Sequence, residues 1–257
     1  MDTVALVTGG GSGIGEAIAH HLAGEGYRVA IVDVALESAE RVAASLRGTG
    51  RLALAVQGDI SRSSDVHAAV ERVERELGPV RHLVNNAGVV VQRMAVDLTD
   101  EEWARVVGVD LTGAFYMSRE VARRLLARGE QGAIVNISSV LARVARPLNS
   151  AYCASKAGVE GLTRALALEF APKIRVNAVS PGHILTTLTR PMFTPPITAA
   201  FNARIPLGEL GQPPWIASVV AFLLSEAARY ITGQVVEVDG GYNINGNLPG
   251  LEFGPNR

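Results

Sequence analysis

The chain is poor in cysteine: Cys153 is the only one among 257 residues, which rules out an internal disulfide. Beside Tyr152 in an apparent helix, it reads as a small, half-buried hydrophobe rather than a nucleophile. Long apolar runs are missing too, and none reaches the roughly 18 uninterrupted residues that a bilayer crossing requires. The opening "MDTVALVTGG" has an acid at its second position and meets glycine after too short an apolar run for a signal peptide. Neither sign of charge is in excess. The 24 Lys and Arg against 25 Asp and Glu leave a net charge of -1, which offers no broad footprint for nucleic acid or an anionic membrane. No Pro-, Ser- or Gly-rich linker divides the chain, and no fixed-period repeat runs through it. The expectation is a soluble cytoplasmic protein of one domain, residues 1–257, with no nucleic-acid or membrane partner and no metal site.

What the chain does have is a rhythm. Short apolar, β-branched runs recur at 3–9, 27–33, 51–59, 81–88, 132–139, 174–182 and 234–241. Each is nearly continuous rather than alternating, as expected of parallel strands covered on both faces. Helical patterns at 15–26, 63–77 and 100–129 lie between them. This alternation predicts an α/β fold, a Rossmann-type doubly wound parallel sheet of about seven strands flanked by helices. The region 183–213 follows a strand, carries five prolines and reads as a long irregular lid or substrate loop.

"TGGGSGIG", residues 8–15, follows the first strand and leads into a helix. Glycines there let the backbone turn tightly and approach a pyrophosphate, whose charge the helix N-terminus then holds. A plain tight turn is the competing reading. Asp33, at the end of the second strand, favours the dinucleotide. A carboxylate there can accept both ribose hydroxyls of NAD and repels the 2′-phosphate of NADP. No Lys or Arg stands in the "VALES" that follows, so a phosphate anchor is not expected. The loop residues Gly9, Ser12, Gly13, Ile14 and Gly15, with Asp33, are the first candidate cofactor contacts, and NAD is the expected cofactor.

In "SAYCASKAG", residues 150–158, Tyr152 and Lys156 are four positions apart and share one helix face. Alcohol oxidation needs a base for the hydroxyl proton, and an unassisted phenol, with a pKa near 10, is a poor one. An ammonium one turn away, together with a positive nicotinamide ring, favours the phenolate. Lys156 is also long enough to hold the nicotinamide ribose. A serine at the tip of the fifth strand can donate a hydrogen bond to the substrate oxygen; Ser138 and Ser139 both stand there.

Taken in order, T-G-x-x-x-G-I-G (8–15), "GDI" (58–60), "NNAG" (85–88), Ser139 thirteen residues before Tyr152, Y-x-x-x-K, "PGHILT" (181–186) and "VDGG" (238–241) resemble the classical short-chain dehydrogenase/reductase family. The likeness runs from about residue 3 to 243. It selects Ser139 over Ser138. It implies that Asp59 and Ile60 lie along the adenine and that Asn86, Ala87 and Gly88 line the cofactor groove. In "PGHILT", it makes Pro181 and Gly182 cofactor contacts and has Ile184 and Thr186 hold the carboxamide, although Thr186 can also simply cap its loop. It also implies a homo-oligomer, tetramer or dimer, packed through the helical patterns at 100–127 and 152–170.

The chain departs from the family pattern in three places. Asp110 stands where the family has an asparagine that holds a relay water; an aspartate is acceptor-only when ionised and can still hold one. Trp215 replaces an acidic residue at a helix start. The tail 244–257 runs past the usual end, either disordered or crossing to a neighbour. The expected activity is NAD-dependent interconversion of a secondary alcohol and a ketone. The alternatives are an NADH-dependent ketone or 3-oxoacyl reductase and, against the intact Ser139, Tyr152 and Lys156 set, a non-catalytic NAD sensor. An apolar substrate body is expected against Val140, Leu141, Ala142, Leu188, Met192, Phe193 and Phe201. One charged contact from Arg93, Arg143 or Arg146 is left open; His183 and Gln92 stand at pocket positions without a nameable partner.

Overall fold

The computed structural model describes residues 3–187 and 189–246. Seven strands among these form one sheet: β1 (Val4–Thr8), β2 (Arg28–Asp33), β3 (Ala53–Gln57), β4 (Val80–Asn85), β5 (Gly132–Ile137), β6 (Ile174–Pro181) and β7 (Val235–Val238). All pair in parallel, in the order β3-β2-β1-β4-β5-β6-β7. The helices are α1 (Gly13–Gly24), α2 (Leu36–Gly48), α3 (Ser63–Leu77), α4 (Asp100–Val107), α5 (Ala114–Arg128), α6 (Ser150–Phe170), α7 (Pro195–Arg204) and α8 (Pro213–Leu224).

The continuous apolar runs have a direct cause. Successive strand side chains point to opposite faces, so Val4 and Leu6 join Ala30, Val32, Ile134 and Val176 beneath α3, α5 and α6. Ala5 and Val7 join Val29, Ile31, Val135 and Val179 beneath α1, α2 and α8. Both faces are buried, and each fully covered Val, Leu or Ile contributes roughly 1.5–3 kcal/mol. The sheet winds outward from β1 to β3, then the chain returns to lay β4 against the other side of β1. That reversal opens a crevice at the C-terminal ends of β1 and β4, where a doubly wound sheet binds its ligand.

A buried polar ladder fixes the far side of that crevice. The Asn85 amide donates to Asn136 Oδ1 at 2.8 Å and to Ser118 Oγ at 2.9 Å, and the Asn136 amide donates to Thr163 Oγ1 at 2.9 Å. These bonds tie β4, β5, α5 and α6 together and so set the position of α6, the helix that carries Tyr152 and Lys156.

Two expectations need correction. The pattern at 100–129 is not one continuous helix: Gly108–Gly113 forms a π-helical segment between α4 and α5, and it carries Asp110. Gly113 sits so close to Ile60 that a Cβ there would lie 2.7 Å from Ile60 Cδ1. This close packing accompanies the local widening of the helix. The region 183–213 is not structureless either. It holds a 3₁₀ turn at Arg190–Met192 and the helix α7, which Pro195 and Pro196 open rather than break, because proline is pre-set for the first helical turn. The expected helix start at Trp215 falls inside the first turn of α8. Leu188 and most of the tail, 247–257, lie outside the described residues. No described helix is long and apolar enough to cross a membrane.

Candidate functional site

A cleft of about 790 Å³ opens at the C-terminal edge of the sheet. Into it face Gly9, Ser12, Gly13, Ile14 and Asp33 from the nucleotide end, Asp59 and Ile60 after β3, and Asn86, Ala87 and Gly88 after β4. Ser139, Tyr152, Lys156, Pro181, Gly182, Ile184 and Thr186 line its other side. Two expected residues stand behind the wall. Gly15 lies under the loop, where a Cβ would come 2.2 Å from the Gly9 carbonyl oxygen; Asp110 lies behind Lys156.

The glycine loop is bonded from within. Gly9 has φ 63 and Gly13 φ 57, in the left-handed region that glycine adopts freely. Asn86 donates its side-chain amide to the carbonyls of Thr8 and Gly9, both at 3.0 Å. Asp33 accepts from the Gly11 N–H through one oxygen and from the Ala35 N–H through the other, both at 3.0 Å. No side chain caps the start of α1, so the N–H groups of its first turn remain available to an anion.

The structure adds a residue the sequence reading missed and corrects the expectation that no basic group stands near. Arg41, on α2, folds back to donate to the Gly11 carbonyl at 2.9 Å and to both oxygens of Glu16 at 2.7 and 2.9 Å. The hydrogen bond from Arg41 holds the Glu16 carboxyl below its usual range. Its distance along the chain hid it: 30 residues separate Arg41 from Gly11.

At the reactive end, the two serines separate. Ser138 Oγ is turned inward, 3.3 Å from the Lys156 carbonyl and 3.4 Å from Glu160. Ser139 Oγ accepts from the Leu141 N–H at 3.1 Å, which leaves its own hydrogen to donate. Lys156 Nζ donates to the Ile137 carbonyl at 3.0 Å, lies 5.5 Å from the centroid of the Tyr152 ring and 3.5 Å from Asp110 Oδ2. The other Asp110 oxygen accepts from the Val89 N–H at 2.8 Å. Burial is the largest influence on Lys156 and pulls its pKa down. The negative charge of Asp110 and then of Tyr152 outweighs it, so the ammonium lies above its ordinary value. Burial also raises the Asp110 carboxyl, against the pull of Lys156 and the Val89 N–H. Asp110 is the acidic neighbour whose proximity offsets the burial of Lys156.

Other expected residues are engaged elsewhere. Thr186 exchanges hydrogen bonds with Thr189, as a loop cap does. Arg93 pairs with Glu102, and Arg143 pairs with Glu160 and Glu237. Gln92 is exposed and Cys153 is half-buried. His183 packs between Phe201 and Tyr242, with ring centroids 4.1 and 4.6 Å away.

Comparison with known proteins identifies the family. A family model described as Enoyl-(Acyl carrier protein) reductase matches residues 9–243. The cis-4-hydroxycyclohexanecarboxylate dehydrogenase of Sinomonas cyclohexanicum is 42% identical over 243 residues, covering 94% of this chain and 96% of its own. The D-threitol dehydrogenase of Mycolicibacterium smegmatis is 41% identical over 242 residues, covering 94% and 93%. The crystal structure of gox2181 matches with a TM-score of 0.90 and 41% identity, over 94% of this chain and 96% of that one. The chain belongs to the short-chain dehydrogenase/reductase family and is an oxidoreductase of small molecules.

Proposed function

We propose that the chain is an NAD-dependent dehydrogenase that interconverts a secondary alcohol and a ketone, with Tyr152 as the acid–base group. One observation carries this reading: Ser139, Tyr152 and Lys156 share a cleft with the glycine loop and Asp33. The loop suits a dinucleotide, since its left-handed glycines and its close-packed Gly15 keep the turn tight beside the open first turn of α1. When bound, the nicotinamide supplies the hydride acceptor. Ser139 donates its hydrogen to the substrate oxygen and holds it in place. Tyr152, as phenolate, takes the hydroxyl proton; Lys156 stabilises that phenolate and Asp110 holds Lys156 charged. In the reducing direction the same groups act in reverse, with Tyr152 returning the proton.

Asp33 supports NAD over NADP, because a 2′-phosphate beside a carboxylate meets like charge. Cyclic secondary alcohols suit the apolar lid region beside the cleft, where Phe193 and Phe201 meet edge to face at 5.7 Å. The relative named for hydroxycyclohexanecarboxylate has such a ring. Exposed Trp103, Leu126 and Leu168 on the helices favour a homo-oligomer, dimer or tetramer; a monomeric mass in light scattering would overturn that.

The test of the reading is Tyr152→Phe, assayed by NADH formation with a panel of secondary alcohols. Turnover should fall by about 10²–10⁴-fold while NAD affinity stays within about twofold. Residual turnover near the wild-type rate would sink the assignment.

A further inference from the structure

Three arginines were candidates for a charged substrate contact, and the structure separates them. Arg93 and Arg143 are held by carboxylates. Arg146 is not: it lies on the segment joining Ser139 to Tyr152, and its guanidinium carbon stands 5.9 Å from the centroid of Phe201. Arg204, at the end of α7, approaches the same aromatic group from another side, 5.1 Å from the centroid of Tyr242. No described carboxylate forms an ion pair with either arginine. Two acids at this junction, Asp239 and Glu237, are engaged, and a third, Glu209, is exposed on the wall of the cavity that His183 faces. Asp239 accepts from the N–H groups of Gly241 and Asn243, both at 2.8 Å, and Glu237 pairs with Arg143.

Between the two cations lies His183, whose buried Nε2 has no hydrogen-bond partner. Burial first, then the charges of Arg146 and Arg204, push its pKa down to about 4. At neutral pH it is thus an uncharged ring able to offer one N–H, and the field around it is positive. The group borders the catalytic cleft rather than lining it: His183 faces an adjoining cavity of about 550 Å³, and Gly182 and Ile184 line both.

Two unpaired guanidiniums and an unpartnered ring nitrogen, gathered on the lid side of an oxidoreductase cleft, are complementary to an anion with two oxygens. We infer that Arg146, Arg204 and His183 form a carboxylate-binding wall, so that the preferred alcohol carries a carboxylate remote from its hydroxyl carbon. The inference rests on the dehydrogenase reading and specifies its substrate class. The apolar rings of Phe201 and Tyr242 hold the body of the substrate, and the arginines hold its charged end.

The experiment compares 4-hydroxycyclohexanecarboxylate with its primary amide in the wild type and in Arg146→Gln, Arg204→Gln and the double variant. Wild type should prefer the acid over the amide by tenfold or more in kcat/KM. Each single variant should lose about tenfold on the acid and less than twofold on the amide, since one charge-assisted contact of about 1.4 kcal/mol corresponds to a factor of ten. Both arginines are exposed, so the variants should fold, which circular dichroism checks. Equal use of acid and amide, unchanged in the variants, overturns the carboxylate wall and leaves the dehydrogenase intact. If neither compound reduces NAD, the dehydrogenase reading is what fails for this class. Calorimetric titration of the NAD-loaded protein with cyclohexanecarboxylate then still decides the wall. Binding weakened tenfold in the double variant supports it; unchanged or undetectable binding overturns it.

Discussion

The two ends of the cleft are built on opposite plans. At the nucleotide end nearly every polar group is satisfied inside the protein: Asn86 holds the carbonyls of Thr8 and Gly9, Asp33 holds two N–H groups, and Arg41 clasps Gly11 and Glu16. At the lid end, His183 Nε2, Asn202 Oδ1 and Asn243 Oδ1 are buried without partners, and Arg146 and Arg204 have no ion pair. A buried polar atom without a partner costs about 1–3 kcal/mol, so the lid end is less completely bonded than the nucleotide end. The first end is finished within the protein; the second is not.

The sharpest way to break this contrast is to overfill the finished end. A Cβ at position 15 would meet the backbone oxygen of Gly9, which has no rotamer to yield. Gly15→Ala should therefore cost about 1–3 kcal/mol in a denaturant melt and abolish measurable NAD binding, as overpacking against backbone does. Phe201→Ala, on the half-buried lid, should change the melt by less than half as much while altering kcat/KM. Equal stability losses would erase the distinction.

A smaller effect is expected at the charges of the finished end. Asp33→Asn should narrow the preference for NAD over NADP without reversing it, because Glu16 still neutralises Arg41. Adding Glu16→Gln frees that guanidinium for a 2′-phosphate, and the double variant should shift the NADP to NAD ratio of kcat/KM by a further tenfold or so. An unchanged ratio in the double variant would show that Arg41 cannot reach the phosphate.

The smallest effect is a displacement along the pH axis. Removing the Asp110 carboxylate leaves burial less opposed at Lys156, which lowers its pKa and weakens the field that favours proton loss from Tyr152. The acid limb of the kcat/KM profile should move to higher pH in Asp110→Asn, with the maximal rate largely kept. A limb that stays in place or moves to lower pH would uncouple Asp110 from the proton transfer.

The same contrast explains what could be read from the sequence. The seven strands were legible because burial on both faces removes alternation from each run. The glycine loop and Tyr152 with Lys156 were legible because their spacing is local to one turn or one helix, and Asp33 because it closes the second strand. The π-helical segment at Gly108–Gly113 left no mark, since nothing in its periodicity announces the contact between Gly113 and Ile60. The helix α7 was hidden because Pro195 and Pro196 read equally well as breakers and as a first turn. Arg41 and Arg204 were missed for another reason: their positions are set by long side chains folding across tertiary contacts. The family likeness singled out Ser139; Ser138 Oγ is turned inward, toward Lys156 and Glu160.

Asp33 has a consequence for how such a chain can change over generations. Its two oxygens fasten the loop at Gly11 and Ala35, and the same carboxylate faces the ribose end of the cleft. On the proposed reading of Asp33, cofactor preference and loop shape are inherited through one codon. A mutation that relaxes the first also loosens the second, and most such variants would be lost to instability before a new cofactor could be exploited. A lineage turning towards the phosphorylated cofactor would have an easier first step at Glu16, which releases Arg41 while leaving the loop fastened. The order of substitutions, rather than their number, would decide whether the change survives.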